Sequence, residues 1–160
     1  MAEECRRRLD LYVMLDGGRF AYELKYPLAS FRAELKEEPL PFYRGKPNPD
    51  DFSRYEIAED IGRIEHFIEE GRADAGCVVV LTNVSSLWRV PAIPTTAQDA
   101  AFRIHEEAVL SETLEWGPRG QPKAPVRLTG SYECRWRDYS KLEEGTGATS
   151  FRYLILAASA

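Results

Sequence analysis

Cysteine is scarce in this 160-residue chain: Cys5, Cys77 and Cys134 are odd in number, far apart and never spaced CxxC. That excludes a disulfide framework and a clustered zinc site, and it fits the reduced thiols of a cytoplasmic protein. Only two histidines occur, His66 beside Glu65 and His105 beside Glu106. Neither stands at i, i+4 from a second ligand type, so both read as structural or exposed. No apolar run approaches the ~20 residues of a membrane-spanning helix. Met1 to Arg8 is polar and basic with no apolar stretch behind it, so no secretory signal is expected. Ser85-Ser86 lacks a G-x-S-x-G context, no cysteine sits in a Cys–His motif, and no G-x-x-x-x-G-K-[ST] loop is present. Nucleophilic catalysis and a P-loop nucleotide site are therefore unsupported.

What is present is ordinary in bulk. A 44% hydrophobic share supports a packed core, and 26 acidic against 21 basic residues give a net charge of −5. The length fits one domain spanning residues 1–160. The acidic balance argues against a non-specific nucleic-acid coat but leaves room for a local basic groove. Of the basic residues 16 are Arg and 5 are Lys, a bias that a GC-rich genome explains, so each lysine is worth separate attention.

Leu9–Leu15 and Arg19–Tyr26 read as two strands joined at Asp16-Gly17-Gly18, a hairpin over residues 9–26. Residues 37–52 carry Pro39, Pro41, Pro47 and Pro49 and are expected to be a surface loop. A helix is expected over 53–70. Ser53 and Glu56 have capping-box spacing, Ile57, Ile61, Ile64, Phe67 and Ile68 recur at helical period, and Gly71 follows. The apolar run over 77–82 suits a strand buried on both faces and parallel to one before the helix. A second helix is expected from Thr95 or Thr96 to about Val109. Val126–Tyr139 and Phe151–Ala157 complete a C-terminal strand pair within 126–158, and the whole is an α/β or α+β domain.

The hairpin carries the chemistry. With a turn at Asp16-Gly17, Leu9, Leu11, Val13 and Leu15 share one face with Phe20, Tyr22, Leu24 and Tyr26, which is the expected core face. The other face then sets Asp10 opposite Glu23, with Lys25 beside them. A turn at Gly17-Gly18 keeps the faces and sets Asp10 opposite Lys25. Two carboxylates with Cβ atoms ~5 Å apart cost roughly 3 kcal/mol at an effective dielectric of about 20. Relief must come from solvent, Lys25, proton uptake or a cation such as Mg²⁺, which suits carboxylate oxygens and a backbone carbonyl. The simpler alternative is a solvent-facing hairpin whose Asp10, Glu23 and Lys25 form surface ion pairs.

Asp10, twelve intervening residues and then Glu23-Leu24-Lys25 resemble the PD-(D/E)XK signature of the restriction-endonuclease-like superfamily, within the context RRLDLYVMLDGGRFAYELKY. The apolar stripe, the crossover helix and the strand at 77–82 follow in the order that fold requires. LTN with Trp88 after it, DAAFRIHE, GSYECRWRDYS and FRYLIL extend the likeness to an uncharacterised microbial group of that superfamily. The resemblance implies a restriction-endonuclease-like mixed sheet flanked by helices. It also implies a nuclease hydrolysing phosphodiester bonds of nucleic acid, DNA foremost, with Mg²⁺ or Mn²⁺. Asp10, Glu23 and the Leu24 carbonyl would hold the metal and Lys25 would position or activate water. Two departures accompany it. Leu9 replaces the Pro, and nine residues before Asp10 are too few for the helix and strand the superfamily core places there. A catalytically silent nucleic-acid- or protein-binding member and a truncated inactive product are the alternatives.

Arg63 and Asp60 on the first helix either approach this site or bridge along the helix surface. Tyr132, Cys134 and Trp136 alternate with Glu133, Arg135 and Arg137, so a buried and a solvent face is the plainer reading than a stacking platform with Tyr139. Arg6, Arg7 and Arg8 read as a solvated terminus sooner than as phosphate ligands. No membrane partner is expected. A homodimer is compatible with the sequence but has no signature in it.

Overall fold

The computed structural model describes residues 9–35, 38–42, 50–92, 97–118, 122–143 and 145–160. Its centre is a mixed five-stranded sheet in the order β1-β2-β5-β10-β8. The strands are β1 (Leu11–Leu15), β2 (Gly18–Lys25), β5 (Ala75–Thr82), β10 (Ser150–Ser159) and β8 (Arg137–Lys141). β1 and β2 form the expected hairpin, with Leu15 paired to Gly18 and Leu11 to Tyr22. Asp16 and Gly17 have φ of 50° and 80°. Two consecutive positive φ values match the right-handed strand twist, which selects the Asp16-Gly17 register.

After β2 the chain makes a small sheet from β3 (Phe31–Leu35) and β4 (Glu38–Phe42), completed by β9 (Gly145–Gly147). β4 corrects the expectation of a loop from residue 37. Among the described residues it pairs only with β3 and lies at the sheet edge, where prolines without an N–H are tolerated. Residues 43–49, with two of the four prolines, lie outside the described residues.

Helix α1 (Asp50–Glu69) then crosses to β5, which pairs parallel to β2. It starts three residues before Ser53, with Asp50 and Asp51 in its first turn where carboxylates suit the helix dipole. Ile57, Ala58, Ile61, Ile64 and Phe67 of α1 join Ala21, Val78, Val80, Leu154 and Leu156 of the sheet in one core. The helix can lie this close because β5 has Gly76 beneath it, where a Cβ would stand 2.8 Å from Ile64 Cγ2. On its other side α1 meets a ribbon of β6 (Val109–Leu114) and β7 (Val126–Glu133), whose Leu110, Leu114, Val126 and Leu128 are buried.

Two further expectations are corrected. The second helix does not form. Thr95 and Thr96 lie outside the described residues, and residues 97–108 contain only a 3₁₀ turn at Ala100–Phe102. Asp99 is tied to Arg54 and Arg103, and Glu107, at φ 63°, donates its N–H to Cys134 O, so this stretch is held in a non-helical path. The core side of the hairpin is also reversed. Helix α1 covers the face of Ala21, Glu23 and Lys25, whereas Leu11, Leu15, Leu24 and Tyr26 are 47–62% exposed. The crossover from β2 to β5 fixes the side on which α1 lies, and hairpin alternation alone carries no such information. For the same reason β5 is buried on one face and only partly covered on the other.

The short helix α2 (Ser85–Trp88) completes the architecture. This is an α/β domain built on a mixed sheet. Among the described residues no helix is long and apolar enough to cross a membrane.

Candidate active site

The register of the hairpin places Asp10, immediately before β1, beside the end of β2. Its Oδ2 accepts the Leu24 N–H at 2.8 Å. Glu23 and Lys25 point from the same side of β2 toward α1, and α1 answers with Asp60 and Arg63 one turn apart. Arg63 Nη1 donates to Glu23 Oε1 at 2.6 Å and contacts Asp60 Oδ1 at 3.0 Å. Lys25 Nζ lies 2.9 Å from Asp60 Oδ2. The carboxylates of Glu23 and Asp60 are 2% exposed, while the side chains of Lys25 and Arg63 are 29% exposed. The two acids are therefore internal and the two cations face outward over them.

The structure thus brings Asp10, Glu23 and Lys25 together, as expected from the sequence. It also settles the role of Asp60 and Arg63, which bridge along the helix and reach the site at once. Their i, i+3 spacing was the legible signal. Arg63, a residue of the helix, is the cation that pairs with Glu23, while Asp10 is held down first by the Leu24 amide, with Lys25 and then Arg63 adding to it.

Ionisation follows from burial and from these partners. The Leu24 amide lowers the pKa of Asp10, against the mild opposing effect of its partial burial. Burial raises Glu23, assisted by Asp60 and Asp10 and opposed by Arg63. Burial likewise raises Asp60, more than its two cations lower it. Burial pulls Lys25 down, but Asp60, Glu56 and Glu23 together hold it above the ordinary lysine value. Lys25 is a firmly protonated ammonium.

The donor set of Asp10 and Glu23 is hard oxygen, and Mg²⁺ is commonly held by one or two carboxylates with waters and substrate phosphate completing its shell. The residues fit such an ion by chemistry, and Arg63 shares one of the donors. Among the described residues there is no group of three or more His, Cys, Asp and Glu side chains arranged to hold a metal. Arg63 also borders an open cleft of about 570 Å³ between α1 and β7, lined by Glu59, His66 and Arg127 among others. Its mixed charge gives it no preference for anions or cations.

The remaining sequence candidates lie elsewhere. Tyr132, Cys134 and Trp136 are buried and Glu133, Arg135 and Arg137 exposed, as alternation requires. His66 pairs with Glu70 at 3.1 Å, and His105 Nδ1 is 2.9 Å from Glu106 O. Arg6, Arg7 and Arg8 lie outside the described residues. No family model matches the chain, and neither a curated protein nor a solved structure matches it.

Proposed function

We propose that the protein is a divalent-cation-dependent nuclease of the PD-(D/E)XK type, acting on DNA through Asp10, Glu23 and Lys25. The observation that supports this reading is the hairpin register, which sets Asp10 at Glu23 with Lys25 on the same face. The parallel crossover through α1 gives that hairpin the neighbours which the superfamily resemblance leads one to expect.

Asp10 and Glu23, with the Leu24 carbonyl, would hold Mg²⁺ or Mn²⁺. Such an ion supplies Lewis-acid polarisation of a phosphate oxygen. Lys25, being protonated, orients a water or donates to a phosphate oxygen and opposes the charge that develops there. Asp60 fixes the ammonium in place, and Arg63 pairs with Glu23.

The decisive assay is nicking of supercoiled DNA with Mg²⁺ or Mn²⁺, comparing wild type with Glu23→Gln and Lys25→Met, with folding followed by circular dichroism. Loss of nicking in both folded variants is expected. Equal nicking in all three would sink the reading. One observation favours a second reading, a catalytically silent binding member: Arg63 already stands on Glu23 at 2.6 Å. That reading expects DNA binding without cleavage and no thermal shift on adding Mg²⁺.

A further inference from the structure

Strand β10 is paired on its β8 side over only part of its length. β8 runs beside it from Ser150 to Tyr153, and from Leu154 to Ser159 the described residues give it no strand partner but β5. The chain before β8 leaves the sheet. Cys134 donates to Ala108 O and accepts from Glu107 N, so β7 runs off with β6 rather than along β10. A cleft of about 460 Å³ opens where β7 and β10 part. Ile68 and Glu69 of α1 border it, with residues 129–132 of β7 on one side and residues 157–160 on the other. Successive residues of β10, from both faces of the sheet, line this cleft and none of β5 does, so it lies along the edge of the strand. One bond fixes which main-chain groups face it. The Ala160 N–H donates to Asp74 O, on the β5 side. In an antiparallel ladder a residue points its N–H and C=O to one side and its neighbours point theirs to the other. Ala158 therefore faces β5, while Ala157 and Ser159 turn both groups to the cleft. Among the described residues those groups have no partner. Residues 154–159 hold no Pro, Gly or charged residue, so the usual devices that close an open edge are absent from this stretch.

We propose that this edge takes up an extended peptide of a partner protein, which adds to β10 as a strand and carries a Lys or Arg. Main-chain groups left open in a row are matched by another main chain, and strand addition draws its affinity from those bonds. The small side chains of Ala157, Ala158 and Ser159 leave that backbone within reach. A single extended segment fits better than a second copy, because the edge is recessed between α1 and β7 and the same recess shields β10 of any second copy. The charge of the occupant follows from Glu69, which is exposed and has no ion pair among the described residues. Glu65, the other acid of the cleft, is already engaged by Thr129 N, Gly130 N and the Tyr132 hydroxyl.

β5 separates β10 from β2 with its Glu23 and Lys25, so the proposal stands or falls independently of the nuclease reading. The test pans random linear peptides displayed on phage against the whole chain and synthesises the most enriched sequences. These should contain Lys or Arg. Ala157→Pro removes one N–H from the open edge, where proline is tolerated, and spares the bonds to β5. It should weaken peptide binding about tenfold, the loss expected for one main-chain hydrogen bond. Glu69→Gln should weaken it too. Hydrogen exchange followed by NMR reads the contact in the wild-type chain without any substitution. Bound peptide should slow exchange of the Ala157 and Ser159 amides and leave that of Ala158, already bonded to β5, unchanged. A library that yields no binder overturns the proposal. So do enriched peptides that all bind Ala157→Pro as tightly as wild type, or protection that does not alternate along residues 157–159.

Discussion

Arg63 Nη1 stands 2.6 Å from Glu23 Oε1 and 3.0 Å from Asp60 Oδ1, so one guanidinium joins the helix to the strand and holds two internal carboxylates. A single nitrogen of the guanidinium makes both contacts, and the long side chain reaches them from a half-exposed position on the helix.

Arg63→Gln should therefore leave Glu23 and Asp60 with Lys25 as their remaining cation. Breaking a fully buried pair costs 3–5 kcal/mol, and the partial exposure of Arg63 brings the expected loss down to about 2 kcal/mol. Arg63→Lys should recover part of it. Urea denaturation measures both. The same variant frees Glu23, so Mn²⁺ affinity should rise if Glu23 is a metal ligand, and unchanged affinity would remove it from that role.

Glu65 is a second internal carboxylate of α1, with a purely architectural task. It accepts from Thr129 N at 2.9 Å, Gly130 N at 2.7 Å and Tyr132 Oη at 2.6 Å, pinning β7 to the helix. Glu65→Ala orphans those donors, and about 3 kcal/mol of stability should be lost, given 1–3 kcal/mol for each buried group left unsatisfied and partial access of water. Hydrogen exchange should show the β7 amides of Thr129 and Gly130 losing protection first. Uniform loss across the whole sheet would contradict the local role.

Periodicity and turn chemistry made much of this fold legible in the sequence. The Asp16-Gly17 turn, the alternation around it and the helical repeat from Ile57 to Ile68 each depend on neighbours in sequence. They set the hairpin register, and with it the meeting of Asp10, Glu23 and Lys25. What was hidden depends on contacts between distant segments. Which face of the hairpin α1 would cover is decided by the crossover. The stretch after residue 97 has helical spacing, but the tie from Asp99 to Arg54, 45 residues away, holds it otherwise. β4 escaped notice because its prolines are tolerable only at an edge, and edges are a property of the assembled sheet.

The Arg54–Asp99 pair is buried at 5% and 3% side-chain exposure, with Nη1 to Oδ2 at 2.7 Å. Asp99→Ala should cost about 3–5 kcal/mol, because it leaves a guanidinium buried beside Arg103. The double variant Arg54→Met, Asp99→Leu should regain most of that loss. Chemical denaturation of the two variants provides the comparison. A double variant as unstable as the single one would mean that the pair specifies the path of residues 97–103 rather than merely balancing charge.

Alkaline pH should unfold the protein through its internal tyrosines. Burial pushes the Tyr55 phenol up to about 12, with Glu59 adding to it, and its hydroxyl donates to Ala124 O. Burial and Glu65 raise Tyr132 as well. In each case the folded value lies above the unfolded one near 10, so the neutral phenol stabilises the fold fully below pH ~10. Above that, the unfolded chain releases the proton first, and stability falls by up to about 1.4 kcal/mol per pH unit for each tyrosine. Lys25, also raised, adds a loss of the same sign from about pH 10.5 upward. Tyr55→Phe and Tyr132→Phe together should remove most of the slope between pH ~10 and ~11 and leave the Lys25 part. Urea denaturation across that window checks it, and an unchanged slope in the double variant would assign the alkaline transition to other groups.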